Sequence, residues 1–106
     1  MTKVCFREYY DNLLITIEGH SGYSFNGTDI VCAGVSTLVY TLLNTILDEE
    51  THGNIKLLRN FVADGVLCLE IQKFSFSKER IDGIIGAIMT GFYMLEDNYP
   101  DYIRIE

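Results

Sequence analysis

The sequence predicts an α/β fold: a single-domain sandwich in the order β-β-α-β-β-α-β, about five strands with two helices. Three observations predict it. Apolar residues alternate with polar ones in short runs. They recur at helical spacing in two long runs. Turn signals separate all of these runs. A chain of 106 residues suits one domain, residues 1–106, and leaves no room for a second. Its 48 % apolar content is enough for a core at that length.

Thr2 to Tyr10 alternates, with Val4 and Phe6 on one face and Lys3, Cys5 and Arg7 on the other. Asp11-Asn12 is a turn signal. Leu13 to Glu18 alternates again through Leu13, Ile15 and Ile17, so the pair reads as a hairpin. Gly19 to Asp29 is a polar, glycine-bearing loop. From Ile30 to about Glu50, Val31, Val35, Leu38, Val39, Leu42 and Ile46 fall on one helical face. Asp48, Glu49 and Glu50 read as its solvated charged end, and Gly53 as its stop.

Ile55 to Phe61 and Val66 to Gln72 flank Asp64-Gly65, a second hairpin signal. Ser77 is the expected cap of the next helix, with Glu79 in its first turn. Ile81, Ile84, Ile85, Ile88, Phe92 and Leu95 form the buried stripe of that helix. Beside the stripe run Gly83, Ala87 and Gly91. This row of small residues reads either as a tolerated loss of helix propensity or as close packing on the first helix. Close packing is the expectation here. Pro100 ends the helix, and Tyr102 to Ile105 makes the last strand. Two helices with one apolar face each cover one half-buried sheet.

The bulk numbers exclude several classes. No apolar stretch reads as long enough to cross a bilayer, and the charged start Met1 to Glu8 lacks the apolar block of a signal peptide. A cytoplasmic protein with no membrane partner is expected. Cys5, Cys32 and Cys68 make an odd count, which reads as reduced thiols. None stands at metal-site spacing, so no metal is expected. A net charge of −7 speaks against direct nucleic-acid binding, which needs clustered Lys and Arg. The acidity suits a basic partner, or merely keeps the chain in solution.

Chemistry concentrates between Gly19 and Leu38. His20 follows the second strand. Cys32 falls in the first turn of a helix capped by Thr28 or Asp29. That turn has unpaired N–H groups and partial positive charge, which favour a thiolate. The same N–H groups are suited to hold an oxyanion on a carbonyl under attack. A Cys there, facing a His, combines nucleophile and base. Alone, Cys32 reads as a buried small hydrophobe and His20 as a strand-end residue. The pairing and the intervening glycines Gly19, Gly22 and Gly27 favour the chemical reading, with residues 19–29 as a closing loop. In that loop Ser21, Tyr23 and Phe25 are candidates to touch substrate, or to pack the loop down. Cys5 and Cys68 read as packing residues, and His52 as a solvated loop residue.

This run resembles the ribosomal-processing cysteine protease family, Prp, also known as YsxB-like. The family pattern is Gly-His near the end of the second strand, then Asp-x-x-Cys-Ala opening the first helix, with Ser four residues after the Cys. Here those are Gly19-His20, Asp29, Cys32-Ala33 and Ser36. Two positions depart from the pattern: Gly34, where relatives often have Ala, and Ser21, where a small apolar residue is common. Neither departure is expected to touch a catalytic role.

The resemblance implies a homodimeric bacterial endopeptidase without cofactor. It implies removal of the short N-terminal extension of the large-subunit ribosomal protein numbered twenty-seven, cut after aromatic residues and before a small one. It carries catalytic roles to His20 and Cys32, and motif positions to Asp29 and Ser36. For Asp29, capping competes with orienting His20. For Ser36, bonding near the thiol competes with bonding back to the Cys32 carbonyl. The rival functions are a non-catalytic ribosomal-protein-binding or assembly module and a thiol redox sensor.

Overall fold

A computed structural model describes residues 1–24 and 29–106. Thr28, Phe25 and Gly27 lie outside the described residues. The elements are β1 (Thr2–Tyr9), β2 (Asn12–Glu18), α1 (Ile30–Thr51), β3 (Ile55–Ala63), β4 (Val66–Lys73), α2 (Lys78–Asn98) and β5 (Ile103–Ile105). The expected element order is the observed one. The five strands form one sheet in the order β3-β4-β2-β1-β5. All neighbours are antiparallel except β1 and β5, which are parallel.

Alternation fixes which face is covered. Val4, Leu13, Ile15, Ile17, Leu67, Leu69 and Ile71 are buried. They form one core cluster with Val31, Val35, Val39, Leu42 and Ile46 of α1 and Ile81, Ile85, Ile88 and Phe92 of α2. The intervening Lys3, Arg7, Glu18 and Val66 are exposed, because strand side chains alternate between faces. The result is two layers, helices over sheet. By length and composition α1 is apolar enough to span a bilayer, contrary to the sequence expectation. Its apolar stripe packs on the sheet as core.

Local details correct several expectations. The first hairpin turns at Tyr10 and Asp11, one residue early, and Asn12 already pairs with Tyr9. Tyr10 accommodates this with φ +54°. Ser77 does stand at the start of α2, after a 3-10 turn at Ser75–Ser77, but its side chain makes no cap bond. Its hydroxyl instead donates to the Asn54 carbonyl, tying the helix start to the end of the preceding turn.

Glu49 is also not a solvated end residue. It is buried, bonded to Arg80 of α2, and accepts from the Asn54 side chain at 2.9 Å. Of the small-residue row, only Gly91 meets α1, where a Cβ would lie 2.6 Å from Leu38 Cδ2. Gly83 faces open space, and Ala87 is exposed. The matching approach from α1 is Gly34, where a Cβ would lie 3.1 Å from Leu95 Cδ2.

Candidate active site

β2 ends at Glu18 and the chain turns at Gly19, which has φ +92°. A side chain here would collide with the Met1 carbonyl oxygen, so the position takes only glycine. The Gly19 N–H donates to the Gly65 carbonyl at 2.8 Å, pinning the bend to the β3–β4 turn. His20 therefore leaves the sheet directly above that turn. A Cβ on Gly65 would sit 2.8 Å from His20 Nε2. The imidazole is half-exposed, with Nε2 3.9 Å from Asp64 Oδ2.

Cys32 is the third residue of α1, half-buried, and Asp29 is the N-cap. Asp29 Oδ1 accepts from the N–H groups of Val31 and Cys32, both at 2.9 Å. Its Oδ2 accepts from the Ser21 hydroxyl, the Tyr23 N–H at 3.0 Å and the Ser24 N–H at 3.2 Å. One carboxylate thus caps the helix and closes the loop. Burial alone would raise the Asp29 pKa, but bonds from Ser21, Cys32, Ser24 and Val31 outweigh it and lower it to about 2. With both oxygens committed, Asp29 does not orient His20. The carboxylate beside His20 is Asp64.

Ser21 is buried against the sulfur. Its N–H donates to Cys32 Sγ at 3.5 Å, and the thiol donates to its hydroxyl oxygen at 3.5 Å. The departure at Ser21 therefore places a hydroxyl beside the thiol. Three N–H groups of the first helical turn are already bonded. Val31 and Cys32 bond the Asp29 side chain, and Ala33 bonds the Asp29 carbonyl at 3.0 Å. Among the described donors, the Ser21 N–H is the one aimed at the sulfur.

His20 and Cys32 open onto one cleft of about 590 Å³ between α1 and the β3–β4 hairpin. Ser36 and Tyr40 follow Cys32 at four-residue intervals and line the same cleft. Val62, Ala63 and Asp64 form the opposite wall. Sequence reasoning missed Tyr40 and the hairpin wall. The 32-36-40 spacing carried a signal for Tyr40. The wall depends on a pairing between distant strands. Tyr23 packs edge-on against Tyr99 and Tyr102, at 5.4 and 5.1 Å between ring centres, so it holds the loop down. Gly22 has φ +73° and faces open space. His52 is exposed, as expected, with Nδ1 2.8 Å from the Asp48 carbonyl. Among the described residues, no group of three or more His, Cys, Asp or Glu stands where it could hold a metal ion.

The sequence profile of cysteine protease Prp matches residues 1–104. The chain belongs to the Prp family of cysteine proteases. No curated protein sequence matches it. Among solved structures it is similar to the essential ribosomal processing protease Prp of S. aureus with a covalently linked product peptide. That pair shares 21 % identity and a TM-score of 0.76, covering 100 % of this chain and 98 % of the other. The same S. aureus protease with a substrate peptide gives 19 % identity, a TM-score of 0.71 and coverage of 100 % and 98 %. A Streptococcus mutans protein gives 26 % identity, a TM-score of 0.70 and coverage of 100 % and 92 %. The Prp neighbours share the five-stranded, two-helix fold, and family membership makes this chain a cysteine protease.

Proposed function

We propose that Cys32 is the nucleophile and His20 the general acid and base. We further propose that the substrate is the N-terminal extension of the large-subunit ribosomal protein numbered twenty-seven. The observation that carries this is a thiol in the first turn of α1 sharing one cleft with an imidazole. His20 is the imidazole in that cleft available to take the thiol proton. The thiolate attacks the scissile carbonyl and forms a C–S bond. The Ser21 N–H, which points at the sulfur, is the donor proposed to turn to the developing oxyanion. His20 then protonates the leaving amine as the C–N bond breaks. It next takes a proton from water, which hydrolyses the thioester and restores the thiol.

The S. aureus relative was solved with substrate and product peptides, which supports a peptide occupant for the cleft. The cleft suits an extended segment, because both walls offer apolar side chains (Val35 and Val39 from α1, Val62 from the hairpin) and Tyr40 offers an exposed aromatic face. A bacterial cytoplasmic location and a homodimer complete the reading. Both follow from the family's ribosomal task and the resemblance above.

Incubating the protein with the full ribosomal protein and mapping products by mass spectrometry tests the substrate. A single cut releasing the extension is expected. Cys32→Ser should bind the extension peptide and leave it intact. Cleavage by Cys32→Ser would overturn the assignment of the nucleophile.

A further inference from the structure

We propose that Asp64 is a positioning residue for His20, holding the imidazole at Nε2 so that Nδ1 serves the thiol and the leaving amine. This rests on His20 acting as proposed above. Three observations carry it. The Gly19–Gly65 hydrogen bond fixes the backbone of His20 over the Asp64-Gly65 turn. Gly65, with φ +73° and no side chain, lets the ring descend until Nε2 lies where a Cβ would be 2.8 Å away. Asp64 Oδ2 then stands 3.9 Å from Nε2.

Among the described residues, Met1 with its terminal amine, Lys3 and Glu18 line a shallow hollow on one side of His20, and Asp29 lines the cleft on the other. Asp29 is spent on capping and loop closure. Among the described residues, Asp64 has the carboxylate within ion-pair reach of the ring. At 3.9 Å the contact is electrostatic. A small rotation of the exposed Asp64 side chain, or one bridging water, converts it to a hydrogen bond.

The chemical consequence is specific. A neutral imidazole has one N–H and one lone pair. A carboxylate at Nε2 favours the tautomer with hydrogen on Nε2, leaving the Nδ1 lone pair for the thiol proton. Peptide filling the cleft excludes water and strengthens that effect.

The test is steady-state cleavage of the extension peptide by Asp64→Asn and Asp64→Glu, with His20→Ala as reference. Asn-Gly suits the hairpin turn as well as Asp-Gly does, so folding is preserved, and an unchanged melting temperature checks it. Asp64→Asn should lower kcat about 2- to 5-fold with KM unchanged, the range of a screened charge contact. Asp64→Glu should recover most of the loss. Wild-type kcat in Asp64→Asn, or loss in KM alone, overturns the positioning role. If His20→Ala cleaves at the wild-type rate, the underlying assignment of His20 fails, and the proposal with it.

Discussion

Replacing Asp29 by Ala should destabilise the protein by about 2 kcal/mol, with two separable parts. Oδ1 caps α1 through the Val31 and Cys32 N–H groups, and losing an N-cap costs about 1 kcal/mol. Oδ2 closes the loop through Ser21, Tyr23 and Ser24. Tyr23 and Ser24 are exposed, so their N–H groups regain water. Ser21 is buried, and stranding its hydroxyl adds about 1 kcal/mol. The depressed pKa arises from the same bonds and gives the same order of magnitude. A fall from 3.8 to about 2 corresponds to at most about 2.4 kcal/mol, less the screening by the exposed loop. Asp29→Asn keeps an oxygen for the cap and loses the charge, so it should cost about 1 kcal/mol. Urea unfolding measures both variants, and amide exchange should quicken at Tyr23 and Ser24 in Asp29→Asn while Val31 and Cys32 stay protected. The pH dependence has a definite sign. A carboxyl lowered on folding stabilises fully above its unfolded pKa, so the gap to Asp29→Ala is full above about pH 4 and closes as pH falls through about 2. Equal losses in Asp29→Asn and Asp29→Ala, or a gap that widens on acidification, would refute this division of labour.

Three further substitutions test the packing. Gly91→Ala places a methyl 2.6 Å from Leu38 Cδ2 and should cost about 1–2 kcal/mol by chemical denaturation, whereas Gly83→Ala meets open space and should gain about 0.5–1 kcal/mol. Glu49→Ala should cost about 1–2 kcal/mol, discounted because Arg80 is largely exposed. Bonds from Asn54 and Arg80 lower the Glu49 pKa on folding against its burial. The stability of wild type over Glu49→Ala should therefore be full above the ordinary carboxylate range and fall away in more acidic urea titrations.

Most of the fold was legible because its signals are local. Strand alternation in Leu13 to Glu18 and helical spacing from Val31 to Ile46 each need only their own residues. What failed depended on partners distant in sequence. Glu49 looked solvated beside Asp48 and Glu50, since nothing nearby announces Arg80 thirty-one residues on. Gly83, Ala87 and Gly91 share a spacing, but helix crossing brings only Gly91 onto Leu38. Ser77 stands at the expected place, yet the Asn54 carbonyl competes for its hydroxyl. The site divides in the same way. Gly19, Asp29 and Cys32 are legible from turn and capping rules. Asp64 read only as a turn residue, because its approach to His20 requires the pairing of β2 with β4 that carries Glu18 to Val66.

That pairing explains how two unconnected elements hold one cleft. His20 is fixed from the sheet side, through Gly19 and Gly65. Cys32 is fixed from the helix side, through its N–H on Asp29. Ser21 joins the two frames: it follows His20 directly in the chain, its hydroxyl bonds Asp29, and its N–H faces the sulfur. A carbonyl carbon bonded to Sγ would carry its oxygen two bonds from that sulfur, within the field of the same N–H. Loosening Asp29 therefore removes more than a helix cap. It frees the donor that faces the Cys32 sulfur while leaving His20 on its turn, so with Cys32 as the proposed nucleophile a stability defect and a rate defect arise from one carboxylate.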